Sequence, residues 1–186
     1  MNMTEPQHGT PRAIRYRKDD LIIPDERIFV ALHNSGLVGH LRDFEINVLL
    51  SLITVQHFEV NEFIIGLDDE ALKSALMILV EGEVEVNAIV DNDPVSLHLD
   101  APGDLARVIS FVGGNMISIS ARIQVKRNST VLLLQRAKLE TLLHSHPSIV
   151  YCVMRNLVTH MHGVARRKNA EKEEISNYLY RTHGLY

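Results

Sequence analysis

The sequence has few of the features that mark secreted, membrane-spanning or metal-clustered proteins. Its single cysteine, Cys152, excludes an internal disulfide and a cysteine zinc cluster, and it is typical of a reducing compartment. Its apolar runs are short: the run Ala75 to Val80 falls far below the roughly 20 residues that span a bilayer. The polar segment Met1 to Pro11 lacks the apolar stretch of a signal peptide. We therefore expect a soluble, cytoplasmic protein that contacts no membrane.

An excess of positive charge is also missing. The 186 residues include 19 Lys and Arg against 23 Asp and Glu, a formal net charge of -4. Domains that bind nucleic acid usually carry a clear basic excess, so the composition argues against a general nucleic-acid binder. With 46% apolar and 23% charged residues, the chain can build an ordinary core, and its length suits one domain.

The first 20 residues predict a mobile arm, because they contain Pro6, Gly9 and Pro11 and few apolar groups. Two helices are expected next, since apolar residues recur at spacings of three and four. The first begins at Asp25, and the second covers Leu41 to Ile53.

The middle of the chain changes to the two-residue period of β-strands. Val84 and Val86 alternate with Glu83 and Glu85, and similar alternation returns after several Gly, Pro and Asp turns. Many short strands of similar spacing predict an antiparallel sandwich or barrel and not a parallel sheet. The strand segments are Val55 to Gly66, Ala75 to Glu81, Glu83 to Val90, Val95 to Leu99, Ile117 to Val125 and Val131 to Leu134.

The last third of the chain is helical by pattern. The segment Ala137 to His144 is followed by a helix from Pro147, whose missing N–H costs nothing in a first turn. A short helix is expected from Glu171 to Tyr180. The predicted organisation is an arm over 1–20, a domain over 21–165 and a helical tail over 166–186.

Several local motifs occur in the order found in one known family. Leu79 to Val86 has the pattern L-x-x-G-x-V-x-V, Pro102-Gly103-Asp104 forms a turn, and Val131 to Arg136 precedes a short helix. In these motifs the chain resembles the cyclic-nucleotide-binding domain of catabolite-activator type. The segment Phe58 to Ile65 also resembles the family, except that Asn61 stands where glycine is usual.

The resemblance covers residues 37–165 and implies a fold that is mainly β with flanking helices. The implied architecture is an antiparallel jelly-roll β-barrel with N-terminal helices and a long C-terminal helix. A phosphate-binding cassette follows the turn in this family. Its Phe-Gly-Glu sequence supplies a Glu that bonds the ribose 2′-hydroxyl, and a later Arg-Ser-Ala supplies an Arg that pairs with the cyclic phosphate. This chain has Leu105-Ala106-Arg107 and Ile119-Ser120-Ala121 at these places.

Both charged anchors of the ligand are thus replaced, by Arg107 and by Ile119. Each lost charge-assisted hydrogen bond weakens binding by roughly 1.5–3 kcal/mol. We therefore expect a regulatory or protein-interaction module without high-affinity binding of cyclic AMP. The alternative is a genuine receptor with a non-standard pocket for a small anionic or nucleotide ligand. The candidate ligand-binding residues are Ala106, Arg107, Ser118, Ile119, Ser120, Ala121 and Arg122.

Enzyme chemistry finds little support in the sequence. No Ser-His-acid grouping, nucleophile elbow or carboxylate pair stands in a suitable local context, and Cys152 among apolar neighbours fits a buried position. A cupin-like metalloenzyme is a distant alternative, but the strand histidines His57 and His98 stand alone. We expect no catalytic residue, no metal and no cofactor.

Regulators of catabolite-activator type carry a winged helix-turn-helix after the long helix, as the resemblance implies. Such a module needs several helices. After Gly163 the sequence has one basic cluster, Arg166-Arg167-Lys168, and one short helical segment. We expect no helix-turn-helix and no specific binding to DNA.

The long helix carries apolar residues at coiled-coil spacing. Intervals of three, four, four and three residues predict a homodimer through this helix, and the family resemblance points the same way. Packing of the same face on the chain's own barrel is the alternative explanation, and a protein partner of unknown identity is left open. The positions are Val150, Val153, Leu157, Met161 and Val164.

Overall fold

Two long antiparallel strands form the centre of the computed structural model, which describes residues 26–64, 74–90, 93–113 and 121–183. They are β2 (Ala75–Val90) and β5 (Ala121–Gln135). Three shorter strands join them: β1 (Ile53–Phe58), β3 (Asp93–Leu99) and β4 (Leu105–Ala106). The helices are α1 (Glu26–Asn34), α2 (Asp43–Leu50), α3 (Val108–Gly113), α4 (Arg136–Glu140) and α5 (Pro147–His183).

The strands form one sheet in the order β1-β5-β2-β3, with β4 also paired to β2. All its pairs are antiparallel, and β5 follows β2 from Ala75 opposite Gln135 to Ala88 opposite Ala121. The predicted class, mainly β with flanking helices, is confirmed. Among the described strands the hydrogen-bonded path is open, so the expected barrel is here an antiparallel sheet that does not close on itself.

The helices differ from their predicted bounds for local reasons. Helix α2 ends at Leu50 because Ile53 already opens β1, where its β-branched side chain suits a strand. The helix expected over Glu171 to Tyr180 is continuous with the one from Pro147, so α5 covers both. The predicted arm, 1–20, and the strand residues 117–120 lie outside the described residues.

Both long strands bend at the same level, where their pairing shifts register between residues 79 and 84. Gly82 permits the bend: its φ is +104°, and a Cβ there would overlap Ser129. The buried Ser129 hydroxyl accepts the Glu83 N–H at 3.0 Å and donates to the Arg127 carbonyl. The bend divides the sheet into two halves. The lower half, with Ala75–Val80 and Val131–Leu134, packs against the helices, and the upper half contains the other end of each long strand.

The lower half of the sheet is buried on both faces. In Ala75–Val80 and Val131–Leu134 every side chain is at most 3% exposed, which explains why these segments are continuous apolar runs. One face packs against the helices in what we call the helix-side cluster, whose sheet residues include Leu76, Ile78, Val80, Leu132 and Leu134. The opposite face belongs to what we call the inner cluster: Ile64, Met77, Leu79, Val84, Leu99, Ala106, Ile123, Val125, Val131 and Leu133.

Helix α5 packs its first turns into the helix-side cluster. Ile149, Val153 and Leu157 recur every four residues and are fully buried. Asn156 adds two hydrogen bonds from its Nδ2, to the carbonyl oxygens of Leu37 at 3.0 Å and Gly39 at 2.9 Å. The N-terminal part of α5 is therefore a fixed part of the domain.

A buried carboxylate joins α2 to α5. Glu45 accepts the Arg42 N–H at 2.9 Å, and the Ser148 hydroxyl donates to its other carboxylate oxygen at 2.7 Å. These two hydrogen bonds lower the pKa of Glu45 from its ordinary value of 4.5, and electrostatic attraction to Arg42 and His146 lowers it further. The folded state thus favours the ionised form of Glu45.

We expect Glu45→Gln to destabilise the protein at neutral pH and to flatten its response to acid. Because the pKa of Glu45 is lower in the folded state, its contribution is complete above pH 4.5 and is lost as the pH falls through the folded value. Urea denaturation at about pH 7 and about pH 3 should show a difference between wild type and variant that shrinks in acid. The exposed Glu59→Gln is the control. An equal difference at both pH values would contradict the prediction.

The packing of α5 predicts a contrast between two neighbouring residues. Leu157→Ala deletes a fully buried side chain and should lower the free energy of unfolding by about 2–5 kcal/mol. Val158→Ala changes a side chain that is 44% exposed and should alter it by less than about 0.5 kcal/mol. Urea titrations of both variants measure the contrast, and equal losses would speak against this packing.

Candidate ligand-binding site

The candidate site begins at the turn between β3 and β4. Asp104 holds the turn with its side chain, whose Oδ2 accepts the N–H groups of Asp100 at 3.1 Å and Ala101 at 3.0 Å. Two backbone hydrogen bonds join the turn to the middle of β2. Gly103 N–H donates to the Leu79 carbonyl at 2.8 Å, and Leu79 N–H donates to the Asp104 carbonyl at 2.9 Å. The turn is thus fixed to the centre of the sheet.

Gly103 is required in this turn for two reasons. Its φ is +98°, and a Cβ there would lie 2.6 Å from the Asn34 Cβ and 2.7 Å from the Ser35 nitrogen. Asn34 also donates from its Nδ2 to the Pro102 carbonyl at 3.3 Å. The end of α1 therefore lies directly against the turn and limits which residues fit there.

The two residues of β4 face opposite sides of the sheet. Leu105 packs in the helix-side cluster and Ala106 in the inner cluster, as strand alternation requires. Arg107 then adopts a left-handed φ of +65°, and its carbonyl accepts the Phe111 N–H at 2.9 Å at the start of α3. Its side chain is partly buried, and this burial lowers the pKa of Arg107. A partly buried cation thus follows β4 directly.

The inner cluster, against which Ala106 packs, is apolar. Its buried members are aliphatic or methionine side chains, and none of these described members carries a charge or a hydrogen-bonding group. Met77, Leu79 and Leu133 are almost fully buried. Such a surface excludes water and favours apolar groups, but it supplies no counter-charge to a phosphate.

The later half of the candidate site divides between the two faces of β5. Ala121 is the first residue of the strand, and Ile123 and Val125 are buried in the inner cluster. Arg122 is exposed on the other face, where its guanidinium carbon lies 5.4 Å from the centre of the Phe63 ring, a cation–π contact. The structure therefore separates Arg122 from the inner face. Three further candidates lie outside the described residues: Ser118, Ile119 and Ser120.

Sequence reasoning placed Phe63 in the strand segment Val55 to Gly66 but did not predict its contact with Arg122. Ile64 N–H donates to the Ile123 carbonyl at 3.0 Å, and Phe63 forms an isolated bridge with Gln124, so the segment runs beside β5. Asn61 has a φ of +71°, a left-handed conformation that asparagine tolerates better than most residues. That tolerance explains how Asn61 replaces the usual glycine, and beyond it the chain continues along β5 in the same antiparallel direction as β1.

The sequence matches no family model and no curated protein, but solved structures do match it. A cyclic nucleotide-binding domain from Methylobacillus flagellatus KT aligns with a TM-score of 0.63 at 16% identity, over 82% of this chain and 84% of that one. The catabolite activator protein of Thermus thermophilus aligns with a TM-score of 0.57 at 22% identity, over 76% of this chain and 63% of that one. A mutant regulatory subunit of a cAMP-independent protein kinase A from Trypanosoma brucei, bound to cAMP, aligns with a TM-score of 0.55 at 18% identity, over 81% of this chain and 52% of that one.

The chain has the fold of a cyclic-nucleotide-binding domain. The resemblance expected from the Leu79 to Val86 pattern and the Pro102-Gly103-Asp104 turn is thereby confirmed. The turn, β4 and α3 follow one another in the chain, and Ala106 connects this segment, which we call the cassette, to the inner cluster. The chain corresponds to 63% of the length of the Thermus protein.

Of the α5 positions predicted to form a dimer seam, some lie in the core of the domain and others lie at its surface. Val153 and Leu157 are fully buried in the helix-side cluster of their own chain, and Val150 and Met161 are partly buried against it. Val164 is 38% exposed. Val153 and Leu157 are thus not available to a second copy, which corrects their place in the seam: up to Met161 this face packs in the helix-side cluster of its own chain, where α5 contacts α3.

The strand histidines of the domain pair with neighbouring strands. His57 Nδ1 lies 2.9 Å from Thr130 Oγ1 across β1 and β5, and His98 lies 3.2 Å from Glu83 across β3 and β2. Within residues 26–64, 74–90, 93–113 and 121–183, no three His, Cys, Asp or Glu side chains lie together as a metal site requires. No helix in that part of the chain is long and apolar enough to cross a membrane.

The contact between the turn and α1 predicts a difference between two glycines. Gly36 and Gly103 both have positive φ, so alanine costs roughly 1–2 kcal/mol of backbone strain at either position. A Cβ at Gly36 meets nothing within 4 Å, whereas one at Gly103 displaces the end of α1. Gly103→Ala should therefore lower the free energy of unfolding by at least about 2 kcal/mol more than Gly36→Ala in urea titrations. Equal losses would contradict the close approach.

Proposed function

We propose that this chain is a regulatory module of the cyclic-nucleotide-binding-domain fold that binds neither cyclic AMP nor cyclic GMP with high affinity and acts through contacts with protein. The chemistry around β4 carries the proposal. Ala106 joins an apolar inner cluster, and the next residue is the cation Arg107. In the family a carboxylate accepts the ribose hydroxyl at this place. A guanidinium has donors alone, so Arg107 does not replace that acceptor.

A second feature of the chain disfavours binding of the cyclic phosphate. The family's phosphate-binding arginine corresponds to Ile119, and the described inner cluster contributes no charge. An anion that leaves water for an apolar surface loses hydration without compensation. Two missing charge-assisted hydrogen bonds, at roughly 1.5–3 kcal/mol each, weaken binding by about a hundredfold or more.

Regulatory proteins among the similar structures support this role. The Thermus protein is a catabolite activator, and the Trypanosoma protein is the regulatory subunit of a cAMP-independent protein kinase A. The second case combines this fold and a regulatory role with independence from cAMP. For this chain we propose the same combination, with no enzymatic activity and a cytoplasmic location.

A second candidate function is a genuine nucleotide receptor with a non-standard pocket. Arg107 favours it, because a partly buried guanidinium at the cassette gives an anionic ligand a cation in a new place. This function requires tight binding that depends on Arg107, whereas the first requires weak binding. A titration therefore separates the two.

Assembly is part of the proposal. Tyr151, Val158 and Val164 leave apolar surface exposed along α5, and exposed apolar surface is typical of an interface. We propose a homodimer through α5, with a further protein as the recipient of the signal and without specific binding to DNA.

Isothermal titration with cyclic AMP and cyclic GMP tests the proposal. We expect a wild-type Kd weaker than about 10 μM, near −7 kcal/mol, and a gain of at least about tenfold in Ile119→Arg/Arg107→Glu, which restores both family anchors. As a control, Arg122→Glu makes the same substitution as Arg107→Glu, but on the exposed face of β5, and it should leave binding unchanged. A tighter wild-type Kd that is lost in Arg107→Ala would establish the receptor instead.

A further inference from the structure

The upper half of the sheet exposes the face opposite the inner cluster, which we call the outer face. Val84 and Val86 contact the inner cluster. The residues that alternate with them along β2, Glu85, Asn87 and Ile89, therefore lie on the outer face. Ile89 leaves a large apolar side chain 65% exposed there.

Arg122 is the neighbour of Ile89 on the outer face. The strand register places Arg122 directly opposite Asn87, and Ile89 is the next residue of β2 on the same face. Such diagonal neighbours are about 7–8 Å apart, within reach of a long side chain. Across the other edge of β5, the Arg122 guanidinium contacts the ring of Phe63, which is 50% exposed. A cation thus lies between two exposed apolar side chains, and we call Phe63, Ile89 and Arg122 the outer patch.

The segment that carries Phe63 is fixed to β5 by hydrogen bonds. Asn61 N–H donates to the Val125 carbonyl at 2.8 Å, and Val125 N–H donates to the Glu62 carbonyl at 2.9 Å. The turn before Phe63 is closed by the Glu62 side chain, whose Oε2 accepts the Glu59 N–H at 2.8 Å. Because the segment is already ordered, a partner that binds Phe63 loses little free energy to ordering it.

The carboxylates of the outer face are paired with cations other than Arg122. Glu85 Oε2 lies 2.6 Å from Lys126 Nζ, and this hydrogen bond lowers the pKa of Glu85. Glu83 Oε1 lies 3.2 Å from His98 Nε2. Within the ranges that the structure describes, no carboxylate lies at salt-bridge distance from Arg122. Its positive charge is therefore open to a carboxylate of another molecule.

We propose that the outer patch is a docking surface for a protein partner, and that it binds a segment in which an Asp or Glu lies beside an apolar residue. Charge complementarity favours this occupant, because the carboxylate pairs with Arg122 while the apolar side chain covers Phe63 or Ile89. Arginine and aromatic side chains are enriched at the centres of protein interfaces. The proposal rests on the proposed action through protein contacts and adds the surface and the chemistry of the partner.

The charges of the outer face disfavour two other occupants. In a two-fold pair the patch meets itself, so Arg122 comes near Arg122 of the partner subunit and the like charges repel. A nucleic acid would bring its phosphates close to Glu83 and Glu85, which repel them. A protein segment with a single carboxylate avoids both repulsions.

Selection from a displayed library of random peptides of about 12 residues tests the proposal on the full chain. Peptides enriched on the immobilised wild-type protein are synthesised and titrated by fluorescence anisotropy. We expect them to share an acidic residue beside an apolar one, and to bind Arg122→Glu or Phe63→Ser at least about tenfold more weakly. Failure to enrich any peptide, enrichment of peptides without an acidic residue, or affinities that neither variant changes would overturn the proposal.

Two substitutions elsewhere on the surface are matched controls. Arg155→Glu makes the same charge change at an exposed position of α5. Phe44→Ser makes the same apolar loss on α2, where Phe44 is 54% exposed. Both controls should leave peptide affinity within about twofold of wild type, because distant sites act independently. An equal loss in the controls and in the patch variants would contradict binding at the outer patch.

Exchange of the charges separates direct contact from an effect of the substitution on folding. A peptide whose acidic residue is replaced by Lys should bind Arg122→Glu at least about tenfold more tightly than the original peptide does. Both peptides are compared on the same variant, so a change in its stability does not alter the result. If the Lys peptide gains no affinity, the pairing with Arg122 is wrong.

The nucleotide titration and the peptide selection fail separately. Tight binding of cyclic AMP would overturn the proposed function and leave the outer patch to be judged by its peptides. Peptides that bind without regard to Phe63 and Arg122 would overturn the outer patch, whatever the titration shows.

Discussion

The pairing of β2 with β5 is the interaction on which the rest of the molecule depends. β1 attaches to β5, whereas β3 and β4 attach to β2, and both apolar clusters are built on the two faces of this pair. Because of the bend at Gly82, the same two strands form both halves of the sheet. The lower half is buried on both faces, and the upper half has one polar face. The candidate site is positioned by the same pair, since the backbone of Leu79 holds the turn that opens the cassette.

Local sequence patterns were enough to predict the fold class and the main strand segments, because alternation and continuous apolar runs report directly on whether one or two faces are buried. They did not predict that Ala75 to Glu81 and Glu83 to Val90 form the single strand β2, or that β4 is present. They were not enough to say what covers an apolar stripe. The spacing of Val153 and Leu157 is the same whether a second copy or the chain's own core lies against it, and the structure places both residues in the core of their own chain. The outward side of Arg122 depends on how β5 sits against Ile64 and Val84, which are distant in sequence. Long-range contacts, and not local propensity, decided both points.

The cassette of this chain keeps its shape through contacts that involve no ligand. Asp104 caps its own turn, Gly103 is held against α1, and Ala106 completes the inner cluster. These interactions account for the Pro-Gly-Asp motif by packing and hydrogen bonding alone. None of these contacts involves Arg107, which we propose replaces one of the family's ligand anchors. A likeness of fold and a difference of ligand chemistry are therefore compatible in this chain.

The placement of β1 has a consequence for synthesis on the ribosome. Its residues pair with the far end of the sheet, Ile53 with Leu134 and Phe58 with Ser129, so β1 leaves the ribosome long before its partner strand has been made. Pairings between such distant segments are slow, and they close only after the intervening chain is complete. Until β5 emerges, the apolar run Ala75–Val80 lacks the strand that pairs with it in the finished domain. The central pair of strands therefore closes late in synthesis, after most of the domain has been made.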